Sequence, residues 1–172
     1  MTTTRRHAHV ATVLGELLLV TDAENLVGVY FPDHRHPPSA TEIGERTDEE
    51  ADEVIAWTAR ELREYLSGER RVFDIPTAAA GNEFSERVWA LLREIPYGAT
   101  TTYGALAEEL GNKAFAQRVG QAVGRNPLSI VVPCHRVVGA DGSLTGFAGG
   151  LDRKRFLLGL EESGADRAGR LF

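Results

Sequence analysis

Cys134, the only cysteine among the 172 residues, stands beside His135 and Arg136 at the end of the run Ile130-Val131-Val132-Pro133. A thiol next to an imidazole has two uses. As a small apolar side chain it fills a core; as a thiolate, once a base has drawn off its proton, it is a strong nucleophile. The β-branched run predicts a buried strand that delivers the sulfur from a stiff support. Pro133 ends that strand, because proline fixes φ and removes a donor from any ladder. Neighbours on a strand point to opposite faces, so His135 reaches the sulfur only where the chain turns, or through a bridging water. A carboxylate on the far ring nitrogen would complete a relay, and Glu161 in the last predicted helix is the candidate.

The motif Pro133-Cys134-His135-Arg136-Val137, preceded by Asn126-Pro127 and followed by Gly146-Phe147-Ala148-Gly149-Gly150-Leu151, resembles the O6-alkylguanine-DNA alkyltransferase family, whose members move an alkyl group from guanine O6 onto their own cysteine. The likeness runs from about Phe84 to Glu161; the first half agrees only in length and layout. The resemblance implies an α+β fold. A small N-terminal α/β (RNase H-like) domain over residues 1–76 would lead, through a linker at 77–82, to a C-terminal winged helix-turn-helix domain over 83–172. It also implies direct-reversal repair of alkylated guanine in double-stranded DNA, one lesion per molecule because a thioether cannot be hydrolysed by its neighbours. The range of alkyl groups, activity on O4-alkylthymine and cooperativity on DNA stay open, and a monomer in solution is expected.

The same resemblance implies residue roles. Cys134 would accept the alkyl group, with His135 and Glu161 forming a water-linked relay and Asn126 a hinge between the DNA-binding helices and the cysteine segment. Tyr103 would donate a proton toward guanine N3. Phe147 would stack on the base within a pocket completed by Pro133 and by backbone groups of Cys134, Val137 and Ala148. Contacts to DNA would come from Thr102, Gln117, Arg118, Ala122 and Arg125. Position 117 departs from the pattern, since the family typically has an arginine there, inserted where the base flips out. Glutamine fills space but lacks the charge and the stacking plane. Arg118 is adjacent yet turned about 100° around the helix. Three other readings compete: a thiol hydrolase, which would need a regenerating water; a lesion-binding protein that transfers nothing; and a transcriptional regulator, for which residues 1–82 offer no second helix-turn-helix.

Composition narrows the setting. One cysteine excludes an internal disulfide, and Met1 to His7 lead into no long apolar region, so the expected compartment is a reducing cytoplasm and no membrane span is expected. The net charge of −6 opposes an acidic partner, but its distribution does not. Residues 1–82 carry a net −7 and residues 83–172 a net +1. Within 113–155 seven basic residues (Lys113, Arg118, Arg125, Arg136, Arg153, Lys154, Arg155) face only Asp141 and Asp152, a candidate phosphate footprint. His34 and His36 lie in a proline-rich stretch without ligand-spaced partners and read as loop histidines, as do His7 and His9; no metal and no organic cofactor is expected.

The elements that must position these groups follow from periodicity. Residues 8–32 alternate as an antiparallel meander, 48–67 form an amphipathic helix with an acidic start, 71–76 read as one more strand, and 83–94 as a second helix. A short helix capped by Thr101 or Thr102, the turn Gly111-Asn112 and a helix over about 114–123 give the helix-turn-helix. A hairpin around 140–143, a glycine-rich loop over 146–150, a last helix over 152–163 capped by Asp152, and a loose tail over 164–172 complete the chain.

Overall fold

The structure, a computed structural model, describes residues 4–170, with side chains through 164. The chain divides into two compact units, Met1–Ala80 and Gly81–Phe172.

In the first unit β1 (Arg5–Thr12), β2 (Gly15–Asp22) and β3 (Asn25–Tyr30) form the meander, and a two-residue β4 (Glu45–Arg46) adds parallel to β1 after the one-turn helix α1 (Ala40–Ile43), giving the order β3-β2-β1-β4. Helix α2 (Glu53–Leu66) covers the sheet with Ile55, Ala59, Leu62 and Tyr65, all fully buried among Val10, Leu17, Leu19 and Leu26. Its N-cap is Asp52, whose Oδ1 accepts from the Val54 and Ile55 N–H groups while Oδ2 takes the Thr21 hydroxyl and Arg6. One carboxylate thus satisfies the helix start and ties it to two strands.

Residues 71–76 are not a strand. Just past them the backbone meets the sheet at an isolated bridge, Leu26 to Thr77, flanked by Leu26 N–H to Pro76 O and Ala78 N–H to Leu26 O. The backbone groups a ladder would use are taken by side chains: buried Glu61 accepts the Asp74 N–H at 2.8 Å and Arg70 donates to Val72 O at 3.0 Å.

The second unit opens with α3 (Glu83–Arg93), capped by Asn82, whose Oδ1 accepts from Ser85 N–H at 2.8 Å. Two-residue β5 (Thr101–Thr102) leads into α4 (Tyr103–Glu109), and Thr102 rather than Thr101 caps it, through Ala105 N–H. After one 3₁₀ turn comes α5 (Ala116–Gly124). Val119, Ala122 and Val123 form its inner face, and Trp89 Nε1 donates to Ala122 O at 2.8 Å, locking α5 against α3. The expected hairpin at 140–143 is a tight turn closed by Gly139 N–H to Ser143 O, while β6 (Val137–Val138) pairs parallel with β5. Helix α6 (Leu151–Arg170) starts one residue before Asp152, which is inside its first turn rather than its cap, and it runs through most of the expected tail; residues 171–172 lie outside the described residues.

Candidate active site

The chain leaves α5 at Asn126, a buried side chain that does the work of a strand partner. Its Oδ1 accepts from Leu128 N–H at 3.0 Å, and its Nδ2 donates to Val132 O at 2.9 Å and Leu128 O at 3.4 Å. The expected strand over 130–132 is therefore absent. Val131 and Val132 donate back to Ser129 O and Leu128 O, and Ile130 sits at φ +72°. That conformation costs a β-branched residue about 1–2 kcal/mol. It holds because the Asn126 amide and the buried apolar run fix both sides of the turn. Periodicity alone cannot separate such a turn from a buried strand.

Cys134 then begins a single 3₁₀ turn with His135 and Arg136. In this turn neighbouring side chains are no longer on opposite faces, and all three are buried. His135 Nε2 is 2.7 Å from Glu161 Oε2, while its Nδ1 is buried with no hydrogen-bond partner among the described protein atoms. Arg136, which the sequence placed in a phosphate footprint, points inward instead. Its Nε and Nη2 donate to the two Glu161 oxygens at 2.7 and 2.9 Å and its Nη1 donates to Ile95 O at 2.6 Å.

Burial pushes the Cys134 thiol up, opposed by hydrogen bonds from the Asn126 side chain and the Cys134 and His135 N–H groups, and by the Lys154 charge. Burial, then Arg136 and Lys154, hold His135 well below the ordinary imidazole range. Both directions favour the uncharged forms, a protonated thiol at Cys134 and a neutral imidazole at the next residue.

Lys154, also counted from sequence as a phosphate ligand, is completely buried. Its ammonium donates to Val137 O at 2.6 Å, Thr145 O at 2.8 Å and Gly146 O at 3.5 Å, fastening the glycine-rich loop to the turn after the cysteine. Phe147 and Ala148, half-buried, follow on that loop, and the half-buried Tyr103 reaches Thr145 O with its hydroxyl at 3.5 Å. Pro133 and Val137 are buried on either side of the cysteine turn. Among the described residues no group of three or more His, Cys, Asp or Glu has the geometry to hold a metal ion.

With this arrangement in view, the comparison with known families is decisive. The profile of the ribonuclease-like domain of 6-O-methylguanine DNA methyltransferases matches residues 6–79, and that of the same proteins' DNA binding domain matches residues 83–163. The chain belongs to the 6-O-methylguanine DNA methyltransferase family. Methylated-DNA–protein-cysteine methyltransferases of Methanosarcina acetivorans and Mycolicibacterium paratuberculosis are 45% and 44% identical to it over 150 and 148 residues, covering 87% and 86% of this chain and 94% and 87% of theirs. The crystal structure of Mycobacterium tuberculosis OGT in complex with DNA superimposes with a TM-score of 0.82 at 36% identity, covering 92% of this chain and 94% of that one.

On the DNA-binding domain of this methyltransferase-family chain, Gln117, Arg118 and Arg125 are exposed and Thr102 is half-buried. Ala122 is not on the open face. Helical spacing groups it with Val119 and Val123, and it packs beneath Trp89. The Arg118 guanidinium lies 4.0 Å above the Phe84 ring centroid, which docks it on α3 rather than over the position of Gln117. Sequence reasoning missed the internal work of Arg136 and Lys154. Only the direct adjacency of Arg136 to the Cys-His pair signalled it, since exposure of a long cation is not written in its spacing. No helix among the described residues is long and apolar enough to cross a membrane.

Proposed function

We propose that this protein repairs duplex DNA by moving the alkyl group of an O6-alkylguanine onto Sγ of its own Cys134, once per molecule. The observation that carries the reading is the buried thiol in one turn with His135, whose far nitrogen is bound to Glu161. His135 Nδ1, which no described protein atom bonds, takes the thiol proton through a bridging water. The thiolate then attacks the alkyl carbon, an S–C bond forms, the C–O6 bond breaks and its electron pair stays on the guanine, which takes a proton from the Tyr103 hydroxyl side. Phe147 offers an aromatic plane for the flipped base. Val137 O already accepts from Lys154 and keeps a second lone pair for the base edge, next to Pro133 and the Ala148 backbone.

Gln117 fills the gap left by the flipped base, Arg118 and Arg125 meet phosphates, and Thr102 holds the start of α4 beside them. Asn126 joins α5 to the cysteine turn, so binding of DNA and placement of the sulfur are mechanically linked. A monomer acting in a reducing cytoplasm fits a chain whose one thiol must stay free.

Intact mass before and after incubation with a duplex holding one O6-methylguanine tests the reaction. A gain of one methylene's mass, mapped to Cys134 and never exceeding one per molecule, is expected, and Cys134→Ala should bind the duplex yet gain nothing. Transfer by the alanine variant, or repeated turnover, would overturn the assignment.

A further inference from the structure

Glu161 has two oxygens and both are engaged by donors. Oε1 accepts from Arg136 Nε, and Oε2 accepts from Arg136 Nη2 while lying 2.7 Å from His135 Nε2. A carboxylate in this fork can only accept, so the ring nitrogen facing it must carry the hydrogen. A neutral imidazole has one N–H. If that hydrogen is on Nε2, Nδ1 holds a lone pair, and Nδ1 is the buried nitrogen with no partner among the described protein atoms.

The opposite arrangement is chemically close. Burial pushes the Glu161 carboxyl up to about 8, against the pull of the Gly98 N–H. A protonated Glu161 would donate to Nε2, and the histidine hydrogen would move to Nδ1, where it would donate instead of accepting. The fork is what stands against this. It brings a delocalised cation with two parallel donors to both oxygens, and it is itself braced from behind by Ile95 O at 2.6 Å and the Tyr97 ring, whose centroid is 5.7 Å from the guanidinium carbon.

We infer that Arg136 is a positioning residue of the relay: its guanidinium fork keeps Glu161 an acceptor, which fixes the His135 hydrogen on Nε2 and leaves Nδ1 as the base for Cys134. The inference rests on the proposed role of Cys134 as nucleophile, and it deepens that role by naming the group that sets the tautomer of its base. The other titratable or charged groups around the imidazole are Cys134 on the same turn and Lys154 on α6, both unchanged by substitution at 136.

The test uses the full chain, ¹⁵N-labelled at histidine, and reads the His135 ring nitrogens by long-range ¹H–¹⁵N correlation, beside the rate at which iodoacetamide labels Cys134 across pH. Neither readout needs alkylated DNA. A protein that keeps Nε2–H but takes up no methyl group would sink the repair reading alone. The wild type is expected as Nε2–H. Arg136→Met should shift the hydrogen to Nδ1 and slow labelling at neutral pH by about 100-fold, the lower end of what a placed base contributes. Arg136→Lys, which keeps the charge but not the fork, serves where the methionine variant does not fold. It should slow labelling by about tenfold with DNA affinity unmoved, as expected for loss of a group that orients a histidine from behind. A wild type protonated on Nδ1 would overturn the inference. So would a folded Met or Lys variant that retains Nε2–H and the wild-type labelling profile.

Discussion

Lys154 spends a charge inside the protein to hold two pieces of backbone together. Three carbonyl oxygens, from Val137, Thr145 and Gly146, surround its ammonium, which has no exposed surface. An isolated buried cation is strongly disfavoured, so these bonds must offset its desolvation. Lys154→Met should cost about 3 kcal/mol in chemical unfolding, chiefly by leaving those carbonyls unpaired. It should also act on the thiol. The ammonium favours the thiolate and opposes the burial that raises the Cys134 pKa, so its loss leaves the thiol protonated to higher pH and moves the iodoacetamide-labelling curve to the alkaline side. An unmoved curve with reduced stability would limit the lysine to fastening the loop. From sequence the residue looked like a surface base, because a lysine stem is compatible with either face of a short amphipathic segment.

At the scale of elements, the parts with a strong 3.6 or 2.0 period were legible: the meander, α2, α3 and the α4–α5 pair lie where periodicity put them. The two missing strands share one cause. At 71–76 and at 130–132 apolar and β-branched residues are present, but Glu61, Arg70 and the Asn126 amide occupy the backbone groups that a neighbouring strand would have bonded. A side chain that substitutes for a strand leaves no periodic trace. The same element-level reasoning bears on α5. Arg118 is stacked on Phe84, so in the proposed complex it does not stand in for an arginine at 117, and the proposal leaves the flipped base's gap to Gln117. Gln117→Arg should raise affinity for an O6-methylguanine duplex by about tenfold, the scale of one stacking or cation–π contact, and speed methyl transfer. Phe84→Leu, which frees Arg118, should give no such gain. Equal gains from both variants would mean that Arg118 reaches the gap once released.

For the whole molecule the question is how a chain of net charge −6 binds a polyanion. The first half, at −7, contributes repulsion, and the second half, at +1, must supply the attraction. Its stripe over 113–155 holds seven basic side chains by sequence, but Arg136 and Lys154 are internal, so five remain to meet phosphates. Some of those are already engaged at the surface: Lys113 with Glu108 at 3.1 Å, Arg155 with Asp152 at 3.2 Å, and Arg118 over Phe84. Exposed pairs of this kind are worth little and exchange readily for phosphate. Each neutralised phosphate releases counterions, with a slope of about −0.9 in log K against log salt, so five contacts cap the slope near about −4.5 and seven would give about −6. Titration of unmodified duplex with the full chain between low and physiological salt separates the two. A slope of about −4.5 or shallower fits a DNA face from which Arg136 and Lys154 have been withdrawn into the interior. A slope near about −6 would require cations beyond the five, and would return those two buried side chains to the interface or bring in arginines from outside the stripe, such as Arg87 and Arg93.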